Sequence, residues 1–448
     1  MRDERRGTRG GGTAVVIAGL SVRAAAESAA RAGYVVTAVD AFGDLDLERW
    51  ARVLPVPRAP GAPYQASAAA RLARTVEADA AAYTGSFENH PTAVRALAEG
   101  RALWGNGVAT LARVRDPVTL ARTLRARGFT VPAVRDTRRA AVAVRQRVAG
   151  VPPRFQDTAV DLLDRHPSIA LDGPVAHTDG GWLETDGASA AWLLKHRASG
   201  GGRGVSAWEP GAPVPRGAVL QERIGGVPGS VAFVADGRAA VPFALSRQLV
   251  GDAAFGAADF QYCGSMLAPA GDAQFDEDAE LYAAATDLAA AAAAEFGLVG
   301  VNCLDFIARA GTPYPIEVNP RYSASMELAE RAYGFPVFDA HARSCSGGAG
   351  GGGRDGGGAL PAFDLRSARR DASAVGKAIV YARRDVVVGD TRRWADDPSV
   401  GDVPHPGERI AGGRPVCTVF AAGRDAPACY DALVARAARV YDELRGHA

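Results

Sequence analysis

Residues 302–321 read NCLDFIARAGTPYPIEVNPR. Two strand-like runs flank Gly311, and a hairpin centred there places Asp305 directly across from Glu317, because the two are equidistant from it. Glu317 and Asn319 are two apart on one strand and so share a face. Asp305, Glu317 and Asn319 then bring hard oxygens to one place, a donor set that suits Mg²⁺ shared with substrate phosphates and does not suit Zn²⁺. Arg321, two residues further on, projects to the same side as a charge stabiliser. An exposed polar hairpin would carry the same residues, so the decision rests on what precedes them.

Two clusters precede them in a fixed order. A strand running into Trp192 ends at Lys195, where KHRASGGGRGV begins (195–205). Lys195 and Lys377 are the only lysines among 51 basic residues, which makes each worth inspecting. Ser199, Gly200, Gly201, Gly202, Arg203 and Gly204 form a turn whose backbone N–H groups can cradle phosphate oxygens, and Lys195 adds a compact point charge. The second cluster, VLQERIG (219–225), is a strand ending in Gln221-Glu222 before a glycine turn. It can offer a carboxylate and backbone groups to an adenine edge, or end simply in solvent.

Working back to the start, residues 13–20 are an apolar run, 21–33 a helical pattern and 34–40 a second β-rich run. This rhythm predicts a βαβ unit with a parallel sheet, and Asp40 falls at its carboxyl edge, where open sheets bind ligands. Further short strands fall at 78–83 and 103–104, each followed by a polar loop. The Gly19-x-Ser21-x-Arg23 turn lacks the spaced glycines of a dinucleotide fingerprint. It either holds an anion with Arg23 as partner or is a plain cap. Downstream, a hairpin is expected around Asp236-Gly237, a helix over 276–296 stopped by Gly297, strands at 375–382 and 415–421, and a closing helix at 425–444.

Composition narrows the class. The 448 residues carry 51 basic and 50 acidic side chains, a net charge of +1 that offers no footprint for nucleic acid or an anionic membrane. No apolar stretch is long enough to span a bilayer. The basic head at residues 2–6 is followed by no cleavage-site pattern, so no secretory signal is expected. Five scattered cysteines with no CxxC pair fit a reducing cytoplasm. Residues 347–358, all glycine except Ala349, Arg354 and Asp355, have the composition of a flexible linker.

Taken together, strand–Lys–glycine loop, Gln-Glu hinge and Asp…Glu-x-Asn-x-Arg resemble the ATP-grasp superfamily over about residues 13–345. The resemblance implies an α/β and α+β chain with four parts: a Rossmann-like pre-ATP-grasp domain (13–112), a two-lobed ATP-grasp domain (113–345, lid about 190–230), a Gly-rich linker (346–360) and a small C-terminal β-rich domain (361–448). The last part resembles the tail of biotin-carboxylase-like members, in which Lys377 would be structural. By that similarity Lys195 contacts the ATP phosphates, Ser199–Gly204 cover them, and Gln221 and Glu222 meet the adenine. Asp305, Glu317 and Asn319 would hold Mg²⁺, and Lys195 and Arg321 would stabilise formation of an acyl phosphate. Many members carry a second ATP-binding lysine early in the domain. None exists here, leaving Arg113, Arg115 or Arg122 to substitute or the contact absent.

The activity this implies is an ADP-forming carboxylate–amine ligase using ATP and Mg²⁺ on small-molecule acids and amines, cytoplasmic, with a homodimer common among relatives. Glu-Asn-x-Pro in the loop 85–91, Ser246-Arg247-Gln248-Leu249 and the proline-rich tail are similar to carboligases accompanying tetrahydromethanopterin and methanofuran pathways. That similarity points to joining an amino acid to a pterin or furan precursor. Arg23, Ser86, Glu88, Asn89, Gln248 and Ser325 are the candidate substrate residues. Two rivals are a bicarbonate-using carboxylase and a non-catalytic ATP sensor. Biotin carboxylase carries a glutamate four residues after its metal-strand arginine, and here that position is Ser325.

Overall fold

The computed structural model describes residues 12–57, 62–136, 191–346 and 359–445. The weakly patterned stretch at 140–190 and the glycine-rich stretch at 347–358 lie outside the described residues.

The N-terminal lobe is built on β1 (Ala14–Ala18), β2 (Val35–Asp40), β3 (Arg52–Pro55), β4 (Ala80–Tyr83) and β5 (Ala102–Trp104), all parallel in the order β3-β2-β1-β4-β5. Val15–Ala18 and Ala80–Tyr83 are buried along their length, as strands covered on both faces must be. Helix Arg23–Arg31 buries Ala25, Ala26 and Ala29 against the sheet. Strand β3 was not expected: its Arg-Val-Leu-Pro run has little alternation, and Pro55 is tolerated because β3 is an edge. The winding reverses between β1 and β4, so their carboxyl ends open a crevice flanked by the loops at 19–22 and 84–90. Asp40 is not free to meet a ligand there. It is buried and accepts from the N–H groups of Val22 (2.7 Å), Phe42 (2.6 Å) and Gly43 (2.8 Å), fixing the loop after β2.

A small antiparallel sheet follows, with β6 (Val134–Arg135), β7 (Trp192–His196), β8 (Val205–Trp208) and β9 (Ala218–Glu222) in the order β6-β9-β7-β8. Lys195 lies one residue before the end of β7.

The large sheet comprises β10 (Val227–Asp236), β11 (Ala240–Val250), β12 (Tyr262–Leu267), β13 (Val299–Arg309), β14 (Thr312–Asn319) and β15 (Ala374–Tyr381). The tail adds β16 (Val386–Val387), β17 (Val400–Gly401), β18 (Arg409–Ile410) and β19 (Pro415–Gly423). The sheet order is β14-β13-β10-β11-β12-β15-β19-β17, with β16 and β18 paired apart. Apart from the small β16–β18 pair, the tail's strands do not form a sheet of their own: β15 pairs with β12 from Gly264 opposite Ala378 to Leu267 opposite Val375, extending the large sheet. Alternation sorts the two faces. Val231, Phe233 and Ala235 pack with helix Asp278–Phe296, whereas Ala232, Val234, Val301 and Cys303 pack towards helix Val337–Ser346 and the N-terminal lobe. Asp305 continues the second face.

The hairpin joining β13 and β14 turns at Ala310 (φ 46°) and Gly311 (φ 66°), a two-residue turn with both residues left-handed. That turn alone would pair Asp305 with residue 316. An irregularity between Asp305 and Phe306 adds one residue to β14 and restores Glu317 opposite Asp305.

Candidate active site

Asp305 and Glu317 face each other across β13 and β14, and Asn319 lies opposite Cys303 on the same face. The Asp305 carboxylate accepts from Asn319 Nδ2 (2.8 Å) and from Gln248 Nε2 (2.9 Å), which reaches over from β11. Burial, reinforced by the charge of Glu317, pushes Asp305 up to about 7. Glu317 goes the other way. Burial opposes its ionisation, but Lys195 and Arg115 hold it down at about 2. Lys195 Nζ lies 3.1 Å from Glu317 Oε2, bringing the lysine of β7 onto the carboxylate strand.

Arg115 follows helix Val108–Val114 and sits 3.8 Å from the same Glu317 oxygen. It donates to the Val318 carbonyl (2.9 Å), the Ser199 carbonyl (3.0 Å) and Asn89 Oδ1 (3.1 Å). Of the three arginines considered for the missing lysine, it is the one brought to the site. Arg113 reaches the Glu295 carbonyl over Phe296, and Arg122 is exposed. The sequence could not choose, because a helix end supplies several arginines and only tertiary packing decides which one turns inward.

Arg321 donates Nη2 to Asn319 Oδ1 (3.1 Å) and both Nε (2.9 Å) and Nη2 (2.7 Å) to Glu88 Oε1. Glu88 is buried, which opposes its charge, yet Arg321 and Arg115 hold it below the ordinary carboxylate range. The loop after β4 thus reaches the site through Glu88 and Asn89. Asn89 Nδ2 also contacts the Ala198 carbonyl at 3.4 Å. Ser86 takes a φ of 87° at the entry to the Phe87–Asn89 turn and is half-buried.

The glycine loop is folded against the body of the protein. Gly201, Gly202 and Gly204 have φ of 61°, 77° and 74°, conformations that other residues resist. The Gly201 carbonyl accepts the Tyr262 N–H (3.2 Å), and a Cβ on Gly202 would overlap the Phe260 carbonyl. Ser199 is buried, Gly200 is open, and Arg203 is exposed at a cleft of about 390 Å³ that also includes Asp259 and Arg414.

Four residues expected to meet ligands are buried or engaged within the chain itself. Glu222 is committed to the chain itself, its Oε2 accepting the Ala133 N–H (2.9 Å), while Gln221 is buried in the strand. Arg23 faces no substrate. It is 1% exposed, and its guanidinium is bidentate to Glu327 and also paired with Glu27 (3.1 Å) and Asp402 (3.1 Å). Those partners lie up to 379 residues away, out of reach of any local reading. Ser325 is buried, its hydroxyl 3.4 Å from Ser323 Oγ. Lys377 pairs with Glu327 at 2.8 Å, a structural role. Among the described residues no group of three or more His, Cys, Asp or Glu comes together as a metal site, so the candidate donor set is two carboxylates and an amide. No described helix is long and apolar enough to cross a membrane.

Residues 181–325 match the model of the family described as an ATP-grasp domain. No curated protein matches the chain. Among solved structures, N5-carboxyaminoimidazole synthetase of Staphylococcus aureus, complexed with ADP, is similar at TM-score 0.59 and 15% identity, covering 95% of this chain and 97% of that one. An L-amino acid ligase of Bacillus licheniformis gives 0.59 and 13%, covering 95% and 97%. The biotin carboxylase of Campylobacter jejuni, in a β-γ-ATP complex, gives 0.61 and 14%, covering 96% and 91%. All three share this chain's fold.

Proposed function

Because residues 181–325 belong to the ATP-grasp domain family, we propose that the chain is an ADP-forming ligase that joins a carboxylate to an amine through an acyl phosphate. The observation that carries this reading is the convergence on Glu317: Lys195 from the lid, Arg115 from the N-terminal side and Asp305 from the paired strand. A site that brings two cations and two carboxylates to one point is organised for moving a phosphoryl group.

The donor set fits Mg²⁺. Asp305 and Glu317 lie half-buried face to face, and the desolvation and mutual repulsion that push Asp305 up to about 7 are what a divalent cation would relieve. Asp305, Glu317 and the amide oxygen of Asn319 would hold the ion, which would offset charge on the phosphates. Lys195 sits where it neutralises charge developing on the transferring phosphoryl group, and the Ser199–Gly204 backbone covers the phosphates from the lid side. Arg321, braced by Glu88, faces the position of the acid. The adenine is left to the strand backbone, since the Glu222 carboxylate is already engaged and the Gln221 side chain is buried.

The pair to test first is an amino acid with a pterin or furan precursor, an assignment supported by sequence similarity alone. The buried Ser325 hydroxyl offers no base for bicarbonate. ADP and phosphate release should depend on one acid and one amine, yield a product heavier by one condensation, and disappear in Glu317→Ala. Bicarbonate alone raising ADP release would replace the ligase by a carboxylase, and ATP binding without turnover would leave a sensor.

A further inference from the structure

Glu88 keeps one carboxylate oxygen that no described residue satisfies. Oε1 takes both bonds from Arg321, while Oε2 is fully buried with no hydrogen-bond partner among the described residues. A buried charged acceptor left unpaired forfeits its solvation with nothing in return, so such an atom points to a donor that arrives with a ligand. The residue is 2% exposed and sits on a turn entered through the left-handed Ser86, a conformation that strain would remove unless the surroundings held it. A second orphan lies close by, on a ring packed against the cluster that holds Val39, Tyr83 and Phe87. The Tyr64 hydroxyl is buried without a partner among the described residues and lies in the fields of Asp40 and Glu88. On its other side Glu88 is one guanidinium from Asn319 and the carboxylate strand.

We propose that Glu88 Oε2 accepts an N–H of the attacking amine, with the Tyr64 hydroxyl as the second polar wall of that subsite; the assignment rests on the ligase reading. Arg321 and Arg115 flank Glu88, so the pocket disfavours an ammonium ion and favours the neutral amine that attack requires. Its ligand class is a primary or secondary amine with a free N–H. The C–N bond forms as the acyl carbon–oxygen bond breaks, phosphate leaving with the bonding pair, and the surplus amine proton departs with the phosphate. Glu88 orients the nucleophile without taking that proton, because the arginines hold its own proton affinity low.

Hydroxylamine, a small nucleophile that traps acyl phosphates as hydroxamates, separates acid activation from amine binding. Acids are screened with Mg²⁺-ATP and saturating hydroxylamine, then the productive acid is run against a panel of primary amines and amino acids. Glu88→Gln should raise the KM of the best amine about ten-fold or more, the worth of one charge-assisted hydrogen bond, while the KM of the acid moves less than about two-fold. Tyr64→Phe, which leaves the Arg321 pair intact, should raise the same amine KM by about three-fold. Equal rises in both KM values would make Glu88 only a brace for Arg321, and no change in either variant would leave Oε2 holding a water. Either result overturns the subsite. A wild-type protein that forms no hydroxamate with any acid overturns the ligase reading and the subsite with it.

Discussion

Arg115 ties together three pieces of the site with one guanidinium: the carbonyl beside the carboxylate strand, the start of the glycine loop and the Asn89 amide. Its replacement by Met should raise KM for ATP about ten-fold, since one cation beside Glu317 and four hydrogen bonds go together, and Arg115→Lys should recover part of the loss through charge alone. Arg113→Met is the control, because that side chain reaches an exposed helix carbonyl; equal losses in the two would rule out a role for Arg115 at the phosphates. Most of this site was readable one residue at a time. Strand alternation and hairpin symmetry are local rules, and they place Asp305, Glu317, Asn319 and Arg321 together, whereas Lys195 was tied to them only by the resemblance. Arg115, Arg23 and Glu222 were not readable, because what each meets is supplied by distant chain: Glu317, Glu327 and Ala133.

Among the elements, the glycine loop and the helix Val337–Ser346 show how packing turns sequence into function. Gly202 is pressed on the Phe260 carbonyl with φ 77°, so Gly202→Ala should hold the lid away from residues 260–262. ATP binding should weaken about ten-fold or more while the melting temperature stays within about 2 °C, because the strain falls on one loop. Tight ATP binding in that variant would show that the lid closes by another route. The helix is pinned by His341, whose Nδ1 accepts the Val301 N–H (2.9 Å), so that Nε2–H is left to donate to the Trp104 carbonyl (3.2 Å). Burial lowers His341 to about 4. Below pH 6.5 the unfolded chain takes up a proton that the native state refuses, so stability falls by about 1.4 kcal/mol per pH unit down to about 4. Asp40 and Asp46, both pushed up to about 6 chiefly by burial, act in the opposite sense over the same range. The wild-type profile therefore mixes the two. Urea midpoints of His341→Gln against wild type at pH 7 and pH 5 separate them: the variant should lose less on acidification, and parallel losses would exclude His341 as the source. The β13–β14 hairpin teaches the same lesson about legibility. Counting from Gly311 reaches the right partner for Asp305 only because a two-residue turn and an extra residue in β14 offset each other.

Across the whole molecule, the lobes are held by a buried ion network and not only by the shared sheet. Arg23 from the N-terminal lobe meets Glu327 from the helix Met326–Tyr333 and Asp402 from the tail, and Lys377 of β15 meets the same Glu327. Arg331, Lys377 and Arg23 stand 3.6, 5.3 and 5.8 Å from the centre of the Phe420 ring. Burial opposes the charge on Glu327, yet Arg23 and Lys377 hold it well below the usual carboxylate range. Arg23, Glu327 and Lys377 are out of water, so none gains much in isolation, but removing one strands the others. Arg23→Met should therefore cost about 3–5 kcal/mol, chiefly by taking the bidentate cation from the buried Glu327. Glu327→Met should cost a similar amount by stranding Lys377. If the network acts as a unit, the double variant should fall short of the summed single losses by about 1–3 kcal/mol, read from urea unfolding of all four proteins at one pH and salt concentration. Losses that add to within about 0.5 kcal/mol would mean that Arg23 and Glu327 act independently, and that the sheet, through the pairing of β12 with β15, is what carries the tail. The same comparison bears on turnover, because the lobe that Arg23 anchors is the one that delivers Glu88 and Asn89 to the carboxylate strand. In a coupled network, Arg23→Met should also raise KM for both organic substrates at a temperature where it remains folded.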